Sequence, residues 1–99
     1  MQKFNEKDYY IVRARGAGVF AGNITEKNGQ EITMTNVRRL HYWDGAASLS
    51  QMANEGVKKP QNCRFSVTVN EITVLEAIEV LKCTDEAEQN IRNVGIWRV

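Results

Sequence analysis

Arg38-Arg39-Leu40-His41-Tyr42-Trp43 puts two guanidinium groups, the only histidine of the chain and two large aromatics into six consecutive residues, and Asp44-Gly45-Ala46-Ala47-Ser48 follows directly. Guanidinium groups bind phosphates and carboxylates through paired N–H bonds, and aromatic faces hold cations and flat rings. On a strand, where side chains alternate, Arg39, His41 and Trp43 share one face while Arg38, Leu40 and Tyr42 share the other. The first face carries anion- and ring-binding chemistry; the second has the look of core. The small residues after Asp44 read as a helix start, whose first backbone N–H groups lack internal partners and favour an anion. In this reading Arg38 and Arg39 pair with a phosphate and Tyr42 and Trp43 hold a base or ribose. The backbone of Gly45, Ala46 and Ser48 cradles an anion, with His41 adding charge. Two plainer uses stand beside it. Asp44 can cap its own helix and fill the anion position, and a strand rich in Arg and Trp can face another subunit. A pocket between copies would satisfy both.

Other candidates are weaker. Arg13 and Arg15 lie on the outward side of an early strand and extend a basic patch only if that strand adjoins Arg39; a solvated face is the default. Lys58-Lys59 can close over an anion or simply be solvated. Gly16-Ala17-Gly18 with Gly22 lacks the GxGxxG spacing and the P-loop lysine, and reads as turn chemistry. There is no GxSxG and no close Cys–His arrangement, so no catalytic residue is expected. One histidine and two widely spaced cysteines, Cys63 and Cys83, make a zinc site implausible and read as free thiols in a reducing compartment. Neither a metal nor a cofactor is expected, and the protein is read as a non-enzyme.

A chain of 99 residues is enough for one domain, 1–99. Its 42% hydrophobic and 25% charged content is that of an ordinary globular protein and argues against disorder. Thirteen basic against twelve acidic residues give a net charge of +1, which counts against general nucleic-acid binding by broad phosphate neutralisation. The bases concentrate early and the acids, from Glu71 to Glu88, late, so the acidic part can face a basic surface of another copy. No apolar run approaches the roughly 18 residues of a membrane span. The polar start, Met1 to Asp8, lacks the apolar middle of a secretory signal, and a cytoplasmic protein is expected.

The elements that must position these groups are mostly strands. Tyr9–Arg15 alternates, with Tyr10, Val12 and Ala14 opposite Tyr9, Ile11, Arg13 and Arg15. Val19–Glu26 is a second strand, in which Gly22 permits a close backbone approach or a bend. Asn28-Gly29 predicts a type I′ hairpin turn into Gln30–Thr35, with Ile32 and Met34 inward. A further strand covers Val37–Trp43. Ala46–Glu55 predicts a short helix capped by Asp44 and ended by Gly56. Residues 57–64 form a loop, and Phe65–Asn70 a half-buried strand. Ile72–Cys83 fits a strand by β-branching and a helix by the Leu75, Ile78, Leu81 stripe; strand is chosen for most of it. Thr84-Asp85-Glu86 starts a helix with Ala87 and Ile91 inward, and Val94–Val99 returns as an edge strand. The expected fold class is α+β: a curved antiparallel sheet or small, partly closed β-barrel of about five to six strands with two short helices.

Gly18-Val19-Phe20-Ala21-Gly22, the run from Arg38 to Gln51 with its Tyr-Trp-Asp-Gly-Ala-Ala-Ser-Leu-Ser-Gln core, Lys59-Pro60-Gln61-Asn62-Cys63-Arg64-Phe65 and Cys83-Thr84 resemble a family of small uncharacterised phage proteins. The resemblance covers nearly the whole chain. His41 stands where that family carries an aromatic residue, and Gly95 where it carries proline. The resemblance implies a phage origin and hence the host-cell cytoplasm; it implies no established activity. By analogy of context, small phage proteins include sponges that bind host nucleotide signals as compact oligomers. The leading expectation is therefore a non-enzymatic homo-oligomer that sequesters a nucleotide-like immune signal to counter bacterial defence. Two alternatives remain open: a protein–protein inhibitor or accessory factor using the Trp43 strand, and a small-barrel nucleic-acid binder.

Overall fold

A computed structural model describes residues 4–99; the first three residues of the polar start lie outside it. Strands β1 (Tyr9–Ala14), β2 (Gly18–Asn28) and β3 (Glu31–Tyr42) form an antiparallel meander. Helix α1 (Leu49–Glu55) and a single 3₁₀ turn (Pro60–Asn62) follow, then β4 (Arg64–Phe65), β5 (Val69–Val74), β6 (Ala77–Lys82) and α2 (Asp85–Asn93). β4 and β5 run one after the other along the far side of β3, and β6 lies on the far side of β1. The two opposite margins of the sheet, β5 and β6, are thus consecutive in sequence and separated only by Leu75 and Glu76. So short a connection forces the sheet to curl until its margins meet at one corner. Arg15 N–H donates to Glu76 O (2.8 Å) and Ala77 N–H to Gln30 O (2.9 Å), pinning that corner to both hairpins. The result is the α+β class: a curved, unclosed six-stranded antiparallel sheet with two helices.

Curling creates two cores. Inside the curl lie Tyr10, Val12, Ala14, Phe20, Ile24, Ile32, Met34, Val37, Val74 and Ala77. On the other face, under α1 and α2, lie Tyr9, Ile11, Ala21, Leu40, Met52, Phe65, Ala87 and Ile91. β1 feeds both, which is why Tyr9–Val12 is buried without interruption. This arrangement removes apolar surface from water on both faces of a small sheet, the dominant favourable term in folding.

Several local expectations are corrected. The segments 30–35 and 37–43 are one strand of 12 residues, bent where the register shifts opposite Gly22 and where Asn36 takes φ +50. A Cβ on Gly22 would sit 2.9 Å from Thr35 O and Val37 Cα, so the close approach read from the sequence is real. The hairpin turn centres one residue later than expected, on Gly29-Gln30. Asn28 pairs with Glu31, and only Gly29 has positive φ, the pattern of a II′ rather than a I′ turn. The first helix starts at Leu49, not Ala46, and its cap is Ser48: its Oγ accepts from Gln51 N–H at 3.1 Å, while Asp44 lies outside the helix and accepts from Asn62 Nδ2. Gly56 ends it with φ +76, as a glycine can without strain. Phe65–Asn70 is not one half-buried strand. Phe65 is buried, the pairing breaks, and Val67 and Val69 are exposed. Ile72–Cys83 is strand on both sides of the Leu75-Glu76 corner. The tail from Val94 makes one parallel bridge, Ile96 to Phe65, rather than an edge strand. Thr84 caps α2, with Ala87 and Ile91 buried, as the sequence indicates.

Candidate functional site

β3 carries most of the chemistry-bearing residues, and its irregularities decide where they point. Arg38 faces the helix side and is only 3% exposed. Its Nε donates to Ser66 O (2.8 Å), Nη1 to Ile91 O and Val94 O (both 2.8 Å), and Nη2 to Gly95 O (3.2 Å) and Phe65 O (3.4 Å). The guanidinium also lies over the Phe65 ring. Its positive charge meets the carbonyl end of α2, the negative end of the helix dipole. Burial lowers its pKa below the ordinary arginine value. Arg38 is therefore a clasp between β3, β4 and the end of α2, fully used inside the molecule, and not a phosphate ligand beside Arg39.

Arg39 points the other way. It is the cross-strand partner of Phe20, and its guanidinium lies over the Phe20 ring with 4.9 Å to the centroid. Ser66 holds its backbone on both sides: the hydroxyl accepts from Arg39 N–H (2.8 Å) and Ser66 N–H donates to Arg39 O (2.9 Å). Arg39 and Phe20 line a cavity of about 380 Å³ between the β1–β2 turn and the β5–β6 corner, together with Arg15, Gly16, Ala17 and Ile72–Glu76. Its charged groups are two arginines and one carboxylate, Glu76, which meets Arg15 at 3.8 Å with both side chains well exposed. Among the described residues no carboxylate lies within 4 Å of Arg39. A guanidinium stacked on an aromatic keeps one face free for another flat ring and its edge free for paired N–H bonds to phosphate.

The rest of the expected site is dispersed. The β3–β4 register shifts between Leu40 and Tyr42, which breaks the alternation. Trp43 consequently packs against the helix-side core, with Leu40, and not beside Arg39. It lines a different cavity, of about 390 Å³, with Arg13, Val19, Ser48, Leu49, Ser50 and Glu79. His41 packs on Trp97, 5.2 Å between ring centroids, and Arg64 covers the Trp97 ring. Tyr42 is 52% exposed. The stretch expected to cradle an anion is occupied by its own chain. Gly45, with φ +92, stands so close to Lys58 and Lys59 that a Cβ would be 2.5 Å from both amide nitrogens. Ala46 packs on the helix-side core, Ala47 N–H donates to Gln51 Oε1 and Ser48 caps α1. Lys58 and Lys59 do not line the Arg39 cleft, and Lys58 pairs with Glu55. Arg13 is paired with Glu79 at 3.1 Å. The sequence reading missed Phe20 and undervalued Arg15. The available signal was that Phe20 and Arg39 pair across one hairpin, but the register needed to see it depends on two bulges.

Both thiols are free. Cys83 is buried, and burial pushes its pKa up to about 12; Cys63 bonds the carbonyls of Asp44 and Lys59. Among the described residues no three His, Cys, Asp or Glu side chains gather as a metal site, and no helix is long and apolar enough to cross a membrane.

Fold and cleft together define a small α+β domain with a curled, open sheet and an arginine-lined mouth. The chain belongs to the family described as a domain of unknown function (DUF6948), whose model matches residues 7–91, a span that includes every residue lining the Arg39 cleft. No curated protein and no solved structure shows significant similarity to it.

Proposed function

We propose that the protein is a phage-encoded, non-enzymatic binder that sequesters a small phosphate-bearing molecule with a flat ring, of the nucleotide class, in the Arg15–Phe20–Arg39 cleft. One observation carries this reading: the Arg39 guanidinium lies on the Phe20 ring at a cavity mouth with no carboxylate partner of its own. In that position it supplies paired donors for phosphate and a platform for a base. Arg15 lines the same cavity, and its loose contact with Glu76 is easily exchanged for a stronger anion. The setting of a phage countering host nucleotide signals rests on the resemblance of the Arg38–Gln51 run to small phage proteins.

Isothermal titration with a panel of cyclic dinucleotides, cyclic ADP-ribose isomers and inorganic phosphate tests the proposal. At least one nucleotide is expected to bind, with an affinity that falls more than tenfold in Arg39→Ala and only partly recovers in Arg39→Lys, because lysine lacks the planar fork. Absence of heat with every member at protein well above micromolar, or binding indifferent to Arg39, overturns it.

A second reading is favoured by a separate observation. Tyr42 (52% exposed) and Trp97 (49% exposed) sit with Arg64 and His41 at the far end of β3, residue types that dominate protein interface energetics. A stoichiometric host protein captured by the wild type and lost on Trp97→Ala, with no retained small molecule by native mass spectrometry, supports that reading over the first.

A further inference from the structure

We infer that β5 is the contact through which two copies of this chain join, edge to edge and antiparallel, into a two-fold dimer with one continuous sheet. β5 pairs with β3 on one side only, and β3 is the sole element with which it makes substantial contact. Among the described residues no strand pairs with its other side, which leaves a row of backbone donors and acceptors along Val69–Val74. Natural edges of this length are ordinarily blunted by lysine, proline, a bulge or a covering loop. β5 reads Val-Asn-Glu-Ile-Thr-Val and pairs with β3 in unbroken register; it has no lysine, proline or bulge, and its one charge is Glu71.

The side chains specify both the partner and the register. Ile72 and Val74 turn toward the core inside the curl, while Val69, Glu71 and Thr73 turn outward; Leu75 follows β5 as the first residue of the corner and is exposed. With the two-fold axis at Ile72, Glu71 of each copy lies opposite Thr73 of the other, and Val69 reaches the corner residue Leu75 just past the end of the partner's β5. The two exposed apolar residues, Val69 (38%) and Leu75 (63%), then cover each other twice. The single carboxylate of each strand meets a hydroxyl. A shift that centres the pair on Glu71 sets carboxylate against carboxylate, which is destabilising. β5 is thus complementary to itself in the register centred on Ile72, as a closed two-fold interface requires.

The consequence reaches the cleft, and to that extent it rests on the function proposed above. Leu75 is one wall of the Arg39 cavity. Val69 of the second copy, packed on Leu75, holds that wall in place, so the dimer carries two clefts on one sheet.

Sedimentation velocity of the ligand-free full chain across micromolar to millimolar concentrations tests the dimer without depending on any ligand. The expected species has twice the 11.3 kDa chain mass. Val69→Lys combined with Leu75→Lys places lysine against lysine at both ends and is expected to weaken association more than tenfold, with circular dichroism unchanged because both sites are exposed. Val69→Lys combined with Leu75→Glu places opposite charges across the interface and is expected to restore it. A monomer at every concentration, a dimer unaffected by the double lysine variant, or the same loss in both double variants overturns the inference. Titrating the wild-type chain with the nucleotide panel reads the cleft, and sedimentation of the ligand-free chain reads the dimer, so failure of one is distinguished from failure of the other.

Discussion

Arg38 and Arg39 are adjacent in sequence and opposite in use. Five carbonyl contacts hold Arg38, and they come from the end of α2, the tail, and β4 with the residue that follows it. Deleting the guanidinium leaves several buried acceptors without donors, each costing about 1–3 kcal/mol. Arg38→Met is therefore expected to lower stability by about 3 kcal/mol or more, read as a shift of the urea midpoint at unchanged slope. Arg38→Lys is expected to recover little of it, since one ammonium cannot reproduce the fork. Arg39→Ala is expected to leave the midpoint nearly unchanged, because its side chain is exposed and its backbone is held by Ser66. Composition announced two arginines beside aromatics. It did not announce which one would be consumed by the fold, because that depends on where α2 ends in space.

The two helices are attached to each other as firmly as to the sheet. Thr84 Oγ1 accepts from Ala87 N–H at the start of α2 and donates to Asn54 O in α1 at 2.7 Å. Asn90 brackets Val57, its Oδ1 accepting from Val57 N–H (2.7 Å) and its Nδ2 donating to Val57 O (2.9 Å). Thr84→Ala thus loses a cap and an interhelical bond, about 2 kcal/mol, whereas Ser48→Ala loses only a cap, about 1 kcal/mol. Urea unfolding of the two variants side by side checks the difference. At this scale the local signals were legible. Thr84 as a cap, the Gly56 stop, the inward Ala87 and Ile91, and the alternation of β1 all follow from short-range chemistry. The start of α1 was misread because Asp44 and Ser48 are both good caps. Choosing between them needed the packing of Gly45 against Lys58 and Lys59.

The whole molecule hides two acidic side chains in its helix-side core. Burial pushes the Tyr9 phenol and the Cys83 thiol each up to about 12, from ordinary values of 10.0 and 9.0. Both folded-state values are raised, so the neutral forms are favoured in the native state. Their contribution to stability is complete below pH about 9, and it is lost as the pH climbs toward 12, where only the unfolded chain readily releases these protons. Urea midpoints are expected to fall between pH about 8 and about 11, and Tyr9→Phe with Cys83→Ala to flatten that fall. Tyr9→Phe removes a hydroxyl that has no hydrogen-bond partner among the described residues, so its packing is otherwise preserved. Taken alone, the chain's apolar alternation, turn residues and caps specified an α+β protein with a curved antiparallel sheet and two short helices, because those signals act over a few residues. The site was decided elsewhere. Two bulges in the β2–β3 pairing and one between β3 and β4 set the facing of Arg39 and Trp43, and a two-residue corner brought β5 and β6 together around Phe20. Such register shifts arise from contacts between distant segments, so they exist only once the sheet has curled.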